Sequence, residues 1–475
     1  MLNILVISSN QNKQPLAVMP IGACIAAEAA QRSGHKVTFL DLMFAKDAKQ
    51  TVENTLAKND FDVIGVSIRN IDNNDMNSPR TFFQDVSQLT EIIRKKSKAK
   101  IILGGAAIPI MPQQLLRYTN TDLAVLGYGE TVFPKLLNAF EQQSSLENVE
   151  GIAWIENNIF KRNEMDGARF NTCPSTDFWK WIDVKSYLSR FSTVPMQTKR
   201  GCPYKCIYCT YGIIEGKTYH LTKPDVVVNE LERLIEKGIH DVEFVDNVFN
   251  SPYDHAINIC ERIAEENLPL RLQSLELNPK FVDDALLDSM ERAGFVGIGL
   301  TAESADDKVL ESLGKDYTSQ DVYRAAEVIN RHNLPCFWIF LLGGPHETPD
   351  TVRRTLNFAR HHIRKTDTAF FNPGIRIYPG TELEKIARHE EVLKSNADEM
   401  LDTKFYFSPL LERKWLSKIL NYYISKNLNF IDSESFTLPT LSAIQKFVYA
   451  LGVRQPLWRY TRTIRRMMQL GRIYK

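Results

Sequence analysis

The chain has 475 residues, 44% hydrophobic and 24% charged, an ordinary globular composition with room for two or three domains. Lys and Arg number 58 against 57 Asp and Glu, so a net charge of +1 gives no general pull toward nucleic acid or an acidic membrane. Of the seven cysteines, Cys24, Cys173, Cys260 and Cys336 are scattered in apolar or mixed surroundings; they read as small buried residues, no disulfide framework is visible, and a cytoplasmic location fits.

The N-terminal run is too short and too poor in basic flanks for a signal segment, and residues 3–9 read as a buried first strand. Pro20 opens a helix that Gly34 ends. Further strands are expected at 36–40, 63–68, 100–103 and 123–126, with helices near 49–58 and 80–97 between them. Five strands alternating with helices predict a doubly wound, Rossmann-like parallel sheet, whose ligands bind beyond the carboxyl ends of its strands. Ser8, Asp41, Arg69, Gly104, Gly105, Gly127, Gly129 and Glu130 fall at those ends. Residues 151–163 alternate around Asn157-Asn158 as a hairpin, and the aromatic linker to 193 includes Phe178, Trp179 and Trp181. The expected domains are thus 1–145, a hairpin and linker over 146–193, a core over 194–395 and a helical region over 396–475.

The core repeats the strand–helix pattern. Strands at 194–199, 241–246, 270–276, 296–303, 335–343 and 368–377 predict a partial (β/α)6 TIM barrel with its chemistry at the strand carboxyl ends. The apolar run 336–342 is far short of the roughly 20 residues of a membrane span. Lys404 to Pro409 is an aromatic extended piece placed to close the barrel mouth, and 410–452 reads as helical. Arg462, Arg465 and Arg466 share a face of a basic terminal helix, near Arg454, Arg459, Arg472 and Lys475. A solvated helix is the simpler reading, a docking surface for an acidic partner the alternative.

The densest chemical signal is Arg200-Gly-Cys202-Pro-Tyr-Lys-Cys206-Ile-Tyr208-Cys209. Three thiolates on a short loop suit three irons of a cubane cluster and leave the fourth iron open. Structural zinc wants four ligands, and His220, eleven residues past Cys209, is a poor fourth. The C-x3-C-x2-C array, with an aromatic residue before its last cysteine, resembles the cluster loop of the radical S-adenosylmethionine (SAM) superfamily. The resemblance implies a [4Fe-4S] cluster on Cys202, Cys206 and Cys209, SAM chelated at the open iron, and SAM cleavage to a 5′-deoxyadenosyl radical. It further implies SAM contacts at Tyr208, at Asp246 after strand two, at Glu303 after strand four, and at Gly343-Gly344 in a Gly-rich turn.

Residues 1–140 resemble the cobalamin-binding domain of B12-dependent radical SAM enzymes: Pro20-Ile-Gly, Gly-His before a strand ending at Asp41, Val63-Ile-Gly-Val-Ser, Gly104-Gly105 and Gly127-x-Gly-Glu130. The D-x-H-x-x-G motif of other B12 domains is missing, and His35 reads as a loop residue, so cobalt should lack a histidine ligand. Arg69 could approach the lower face of the corrin, or pair with Asp72 or Asp75. The function implied is methyl transfer from SAM by way of cobalamin to an unactivated carbon or phosphorus of a small-molecule or peptide substrate, with an electron donor such as flavodoxin or ferredoxin. Cyclisation or rearrangement with the same cofactors is the alternative. A methylthiotransferase-like enzyme would need a second cysteine cluster, and a corrinoid sensor would not need the cysteine loop. No catalytic acid or base stands out, and nucleic acid is not expected as a partner.

Overall fold

A computed structural model describes residues 1–165, 176–393, 400–433 and 441–470. Cys173, Arg472 and Lys475 lie outside them. Strands β1 (Asn3–Ser8), β2 (Lys36–Asp41), β3 (Val63–Ser67), β4 (Lys100–Gly104) and β5 (Leu123–Val125) are joined by helices such as Ile21–Arg32 and Gly129–Glu141. They form a parallel sheet in the order β2-β1-β3-β4-β5, with helices supplying the crossovers. Its strands are short β-branched runs without charge at their centres, so both faces can be covered. The order reverses between β1 and β3, and at that switch point the strand ends part to leave a crevice.

The hairpin of β6 (Ile152–Glu156) and β7 (Ile159–Arg162) ends the first sheet. It pairs antiparallel to β5 and extends the first sheet to seven strands. Asn157 and Asn158 both take positive φ, as its tight turn requires.

The chain continues through β8 (Val194–Met196) and a two-stranded ribbon of β9 (Lys199–Arg200) and β10 (His220–Leu221), which brackets the cysteine loop. Next come β11 (Asp241–Phe244), β12 (Arg271–Leu277), β13 (Phe295–Glu303), β14 (Cys336–Leu342) and β15 (Thr368–Pro373). A second antiparallel ribbon, β16 (Ile375–Arg376) with β17 (Phe405–Tyr406), follows, and then β18 (Phe430–Asp432). The parallel sheet runs β18-β15-β14-β13-β12-β11-β8, an open barrel. The seventh strand corrects the expectation that 410–452 is helical throughout. Three residues carry no periodicity of their own, and β18 exists because β15 offers it an edge.

Along β14, Cys336, Trp338, Phe340 and Leu342 are fully buried, and the residues between them are half-buried. Phe340 stacks on Phe371 at 5.2 Å, and Phe371 meets Phe430 at 5.2 Å, so one aromatic column crosses three strands. The terminal helix Thr461–Leu470 is not simply solvated. Arg465 donates to the carbonyls of Ile424 and Asn427 at 3.1 Å and to that of Phe430, satisfying the carboxyl end of helix Arg413–Lys426. No helix of the described residues is long and apolar enough to cross a membrane.

Phe371→Ala should cost about 3–5 kcal/mol of barrel stability by opening a cavity in this column. Chemical denaturation of the apo-protein, followed by tryptophan emission, checks the loss.

Candidate active site between the two sheets

The cysteine loop starts at Gly201, whose φ is +83° and where a side chain would collide with the Thr218 carbonyl. Only glycine fits, which gives the Arg-Gly before Cys202 a steric cause. Cys202 is buried; Cys206 and Cys209 are half-buried. Burial pushes the Cys209 thiol up to about 12 and raises Cys202, so a bound metal is what would make them thiolates. Among the described residues the three sulfurs do not gather within 4.8 Å, as they would around one zinc ion (~3.8 Å apart).

Two buried groups brace this loop. Asp246 is completely buried; its carboxylate accepts from the Thr198 amide at 2.7 Å, the Thr198 hydroxyl at 2.6 Å and the Lys199 amide at 3.2 Å, and pairs with Lys199 Nζ at 3.3 Å. These four contacts tie Asp246 to the start of the cysteine loop. On the other side, Tyr208 donates to Glu303 Oε1 at 2.6 Å, and Lys315 Nζ donates to the same oxygen at 2.9 Å and to the Tyr208 hydroxyl at 2.8 Å. Glu303 has φ +57° and is buried, and its Oε2 has no partner among the described residues. The Ser274 hydroxyl, near the end of the neighbouring strand β12, is likewise buried without a partner among the described residues.

Gly343 and Gly344 sit in the turn after β14, yet their amides both donate to Glu347 Oε2, the second at 3.0 Å. A side chain on Gly343 would reach Phe407 at 2.9 Å, and one on Gly344 would touch Ile375 at 3.3 Å. Those glycines shape the turn, with both amides engaged by Glu347. Phe407 follows β17, so the aromatic segment does pack over the carboxyl end of β14.

A cavity of about 500 Å³ opens where the carboxyl ends of the first sheet face this loop. Ser8, Arg69, Gly104, Gly105, Gly127, Gly129 and Glu130 line it, together with Gln197, Arg200, Tyr211 and Glu215 from the barrel side. It continues down one face of the sheet past Gly65 and Phe133 as an apolar slot. Gly104 has nothing within 4 Å of where a side chain would stand, so it leaves open space. The other three glycines lack a side chain because of protein neighbours: the Ile68 backbone at 2.5 Å for Gly105, Met165 for Gly127 and Ala26 at 3.0 Å for Gly129. Glu130 lines the cavity but pairs with Arg200 at 2.5 Å, joining the two sheets.

Asp41 does not reach the cavity. Its carboxylate accepts from the Tyr187 hydroxyl at 2.7 Å and the Met43 amide at 3.1 Å, because the linker helix Val184–Leu188 packs over the end of β2. Arg69 is accessible to the cavity, and the walls around it draw its pKa down by desolvation. Neither expected carboxylate pairs with it: Asp72 pairs with Arg376, and Asp75 accepts from Ser433 at 3.2 Å. With the Asn70 amide turned so that both its ends find partners, Arg69 Nη1 donates to its oxygen at 3.0 Å. His35 accepts from the Leu2 amide at 3.3 Å, at the opposite edge of the sheet, and no histidine lines the cavity among the described residues.

Two contributors, Glu215 and Lys315, escaped sequence reading, whereas Glu276 lies in the strand-end stretch Ser274 to Asn278 where catalytic residues were expected. Glu215 accepts from Gln197 at 2.8 Å, the Gly201 amide at 3.2 Å and Asn247 at 2.8 Å, while its carbonyl accepts from the Tyr128 hydroxyl at 2.9 Å. Lys315 lies in an ordinary-looking Gly-Lys-Asp-Tyr turn. Glu276, near the end of β12, accepts from the Phe249 amide through its carbonyl at 2.7 Å, and burial beside Glu303 pushes its carboxyl up to about 8. Only the Gly before Lys315 was a signal, and it marks a turn rather than a site.

A family model described as the radical SAM superfamily matches residues 196–359, and one described as a B12 binding domain matches residues 13–137. The chain belongs to the B12-binding members of the radical SAM superfamily. It is 24% identical over 421 residues to an uncharacterized methyltransferase of Pyrococcus horikoshii, covering 85% of this chain and 88% of that one. It is 22% identical over 446 residues to tryptophan 2-C-methyltransferase of Streptomyces laurentii, covering 80% and 74%. Its fold matches that of the radical SAM methyltransferase TsrM from Kitasatospora setae, solved with cobalamin and a [4Fe-4S] cluster bound, with a TM-score of 0.85 at 22% identity over 99% of both chains.

The elevated Glu276 carboxyl gives a pH dependence. The native state holds this proton more tightly than the unfolded chain, so its stabilisation is full below 4.5 and is lost as pH rises through about 8. Relative to Glu276→Gln, the wild-type apo-protein should lose up to ~1.4 kcal/mol per pH unit across that window. Thermal denaturation of both proteins at a series of pH values checks the slope, and parallel curves would show that Glu276 ionises freely.

Proposed function

We propose that this protein is a cobalamin-dependent radical SAM methyltransferase that moves a methyl group from SAM, by way of cobalamin, to an unactivated carbon or phosphorus of its substrate. One observation carries the reading: the carboxyl ends of a B12-binding sheet and the residues flanking the cysteine array of a radical SAM barrel, Arg200 before it and Tyr211 and Glu215 after it, line one shared cavity. The relatives named as methyltransferases support the same reaction class.

When bound, the cluster supplies an electron to SAM and the corrin supplies a transferable methyl group. The chain supplies ligands, orientation and shelter. Cys202, Cys206 and Cys209 hold the cluster. Glu303, kept in place by Lys315 and Tyr208, presents its unpartnered oxygen to a donor group of SAM. Ser8 and the open space at Gly104 receive the corrin, and the slot past Gly65 and Phe133 receives its tail. Arg69 places a positive charge in that space without offering cobalt a ligand. The Glu130–Arg200 pair and the Tyr128–Glu215 bond close the joint between the domains and keep water from the reacting groups. An external one-electron donor, flavodoxin-like or ferredoxin-like, completes the set of partners.

Anaerobic reconstitution with iron, sulfide and hydroxocobalamin, followed by metal analysis, should give about four irons and about one cobalt per chain. Replacing Cys202, Cys206 and Cys209 together by alanine should abolish iron binding and SAM cleavage; cleavage retained at the wild-type rate would falsify the cluster assignment. Iron without cobalt would leave the barrel and sink the methyltransferase reading. With both cofactors present, label from methyl-labelled SAM should appear in product, whereas turnover without it would point to cyclisation or rearrangement.

A further inference from the structure

Arg69 stands on a loop whose far side is fastened to the barrel, not to the sheet that carries it. Residues 71–82 fold back on themselves, with the Phe82 amide donating to the Ile71 carbonyl at 2.8 Å and the Asn73 amide to the Arg80 carbonyl at 3.1 Å. From this compact loop Asp72 reaches Arg376 Nε at 2.7 Å, with both side chains buried to about 1% exposure or less. Arg376 belongs to β16, and its other contacts are to the barrel: it donates to the Ile377 carbonyl and, at 3.1 Å, to the Lys404 carbonyl, and it lies over the Tyr378 ring. Met76 fills the space that a side chain on Gly374 would need. Asp75 takes the Ser433 hydroxyl at 3.2 Å. Three fasteners therefore join the loop to the barrel segments at 374–376 and 433. On the sheet side, Arg69 follows Ile68, whose amide donates to the Gly104 carbonyl at 2.8 Å.

We propose that Asp72 and Arg376 are positioning residues through which the barrel fixes the Arg69 guanidinium inside the corrin cavity. Asp72 is three residues beyond Arg69, too close for its position to change without moving the backbone that carries the cation. Neither charge can leave the other without standing unpaired in a dry interior, so the tether is stiff. The pair thus lets the barrel set the electrostatic environment of a cofactor held by the other domain. A fixed positive charge beside the corrin stabilises the more reduced, less positive state of the metal.

The inference rests on the reading that cobalamin fills this cavity. Its test uses the hydroxocobalamin-loaded protein and the apo-protein side by side. In the loaded protein, Asp72→Asn should move the Co(II)/Co(I) midpoint potential to more negative values, in the same direction as Arg69→Gln. Asp72→Asn combined with Arg69→Gln should add nothing beyond Arg69→Gln alone, since both act through one group. In the apo-protein, modification of Arg69 by phenylglyoxal, mapped by mass spectrometry, should rise severalfold when Asp72 is changed. Asp72→Asn/Arg376→Gln, which removes both charges together, keeps the test open if the single variant does not fold. A lowered melting temperature with unchanged potential and unchanged Arg69 reactivity would overturn the proposal and leave an ordinary structural pair. An Arg69→Gln potential equal to wild type would overturn it as well. Failure of the wild type to bind cobalamin would instead strike the cavity reading, and the Arg69 reactivity would still decide whether the tether exists.

Discussion

Two buried ion pairs hold the ends of the three-cysteine loop, and the rest of the site depends on them. Lys199–Asp246, at 3.3 Å, fixes the strand that enters the loop, and Lys315–Glu303, at 2.9 Å, fixes the residue just before its last cysteine through Tyr208. A buried pair of this kind adds little net stability, but removing one partner costs about 3–5 kcal/mol because a charge is left without compensation. The loop therefore has few alternative positions. Glu303 gains a second consequence: with one oxygen occupied by Lys315 and Tyr208, the other is left in a defined place for a ligand.

The two parallel sheets meet carboxyl end to carboxyl end. Each alone would expose a crevice at its strand ends, as open parallel sheets do. Facing each other, they enclose one cavity and share its walls. Polar contacts that join them include Glu130 with Arg200, Tyr128 with the Glu215 carbonyl, and Asp72 with Arg376. Each links residues 70 or more positions apart. On the barrel side the carboxyl-bearing strand ends Glu243 and Glu276 carry raised pKa values, burial being the main cause, and Arg69 favours the charged form of Glu243 from across the joint. The site thus sets the Arg69 cation among carboxyls whose charged forms burial disfavours, where fixed charges act more strongly than in water.

Several elements could be read from residue order alone. The five parallel strands of the first sheet, the strand–helix repeat of the barrel and the cysteine spacing are local patterns, set by hydrophobic periodicity and by ligand geometry within eight residues. Glycines at strand ends were legible as glycines but not as to cause. Gly104 leaves open space, whereas Gly105, Gly127 and Gly129 make room for Ile68, Met165 and Ala26. The strand-end carboxylates were legible in the same limited way. Asp41, Asp246 and Glu303 occupy equivalent positions in the pattern, yet Asp41 bonds a linker tyrosine, Asp246 braces a backbone, and Glu303 keeps an oxygen free.

The sequence by itself determined the two parallel sheets, the cluster loop and the pairing of cofactors that their resemblance implies, because each is written in spacing over short stretches. Only the tertiary structure decided which charged residue meets which. It made β18 a strand, joined the hairpin to the first sheet, turned Arg465 into a helix cap, and tied the Arg69 loop to Arg376. Those outcomes depend on partners tens to hundreds of residues away, and desolvation, the term that decides them, has no value until the chain has closed around each charge.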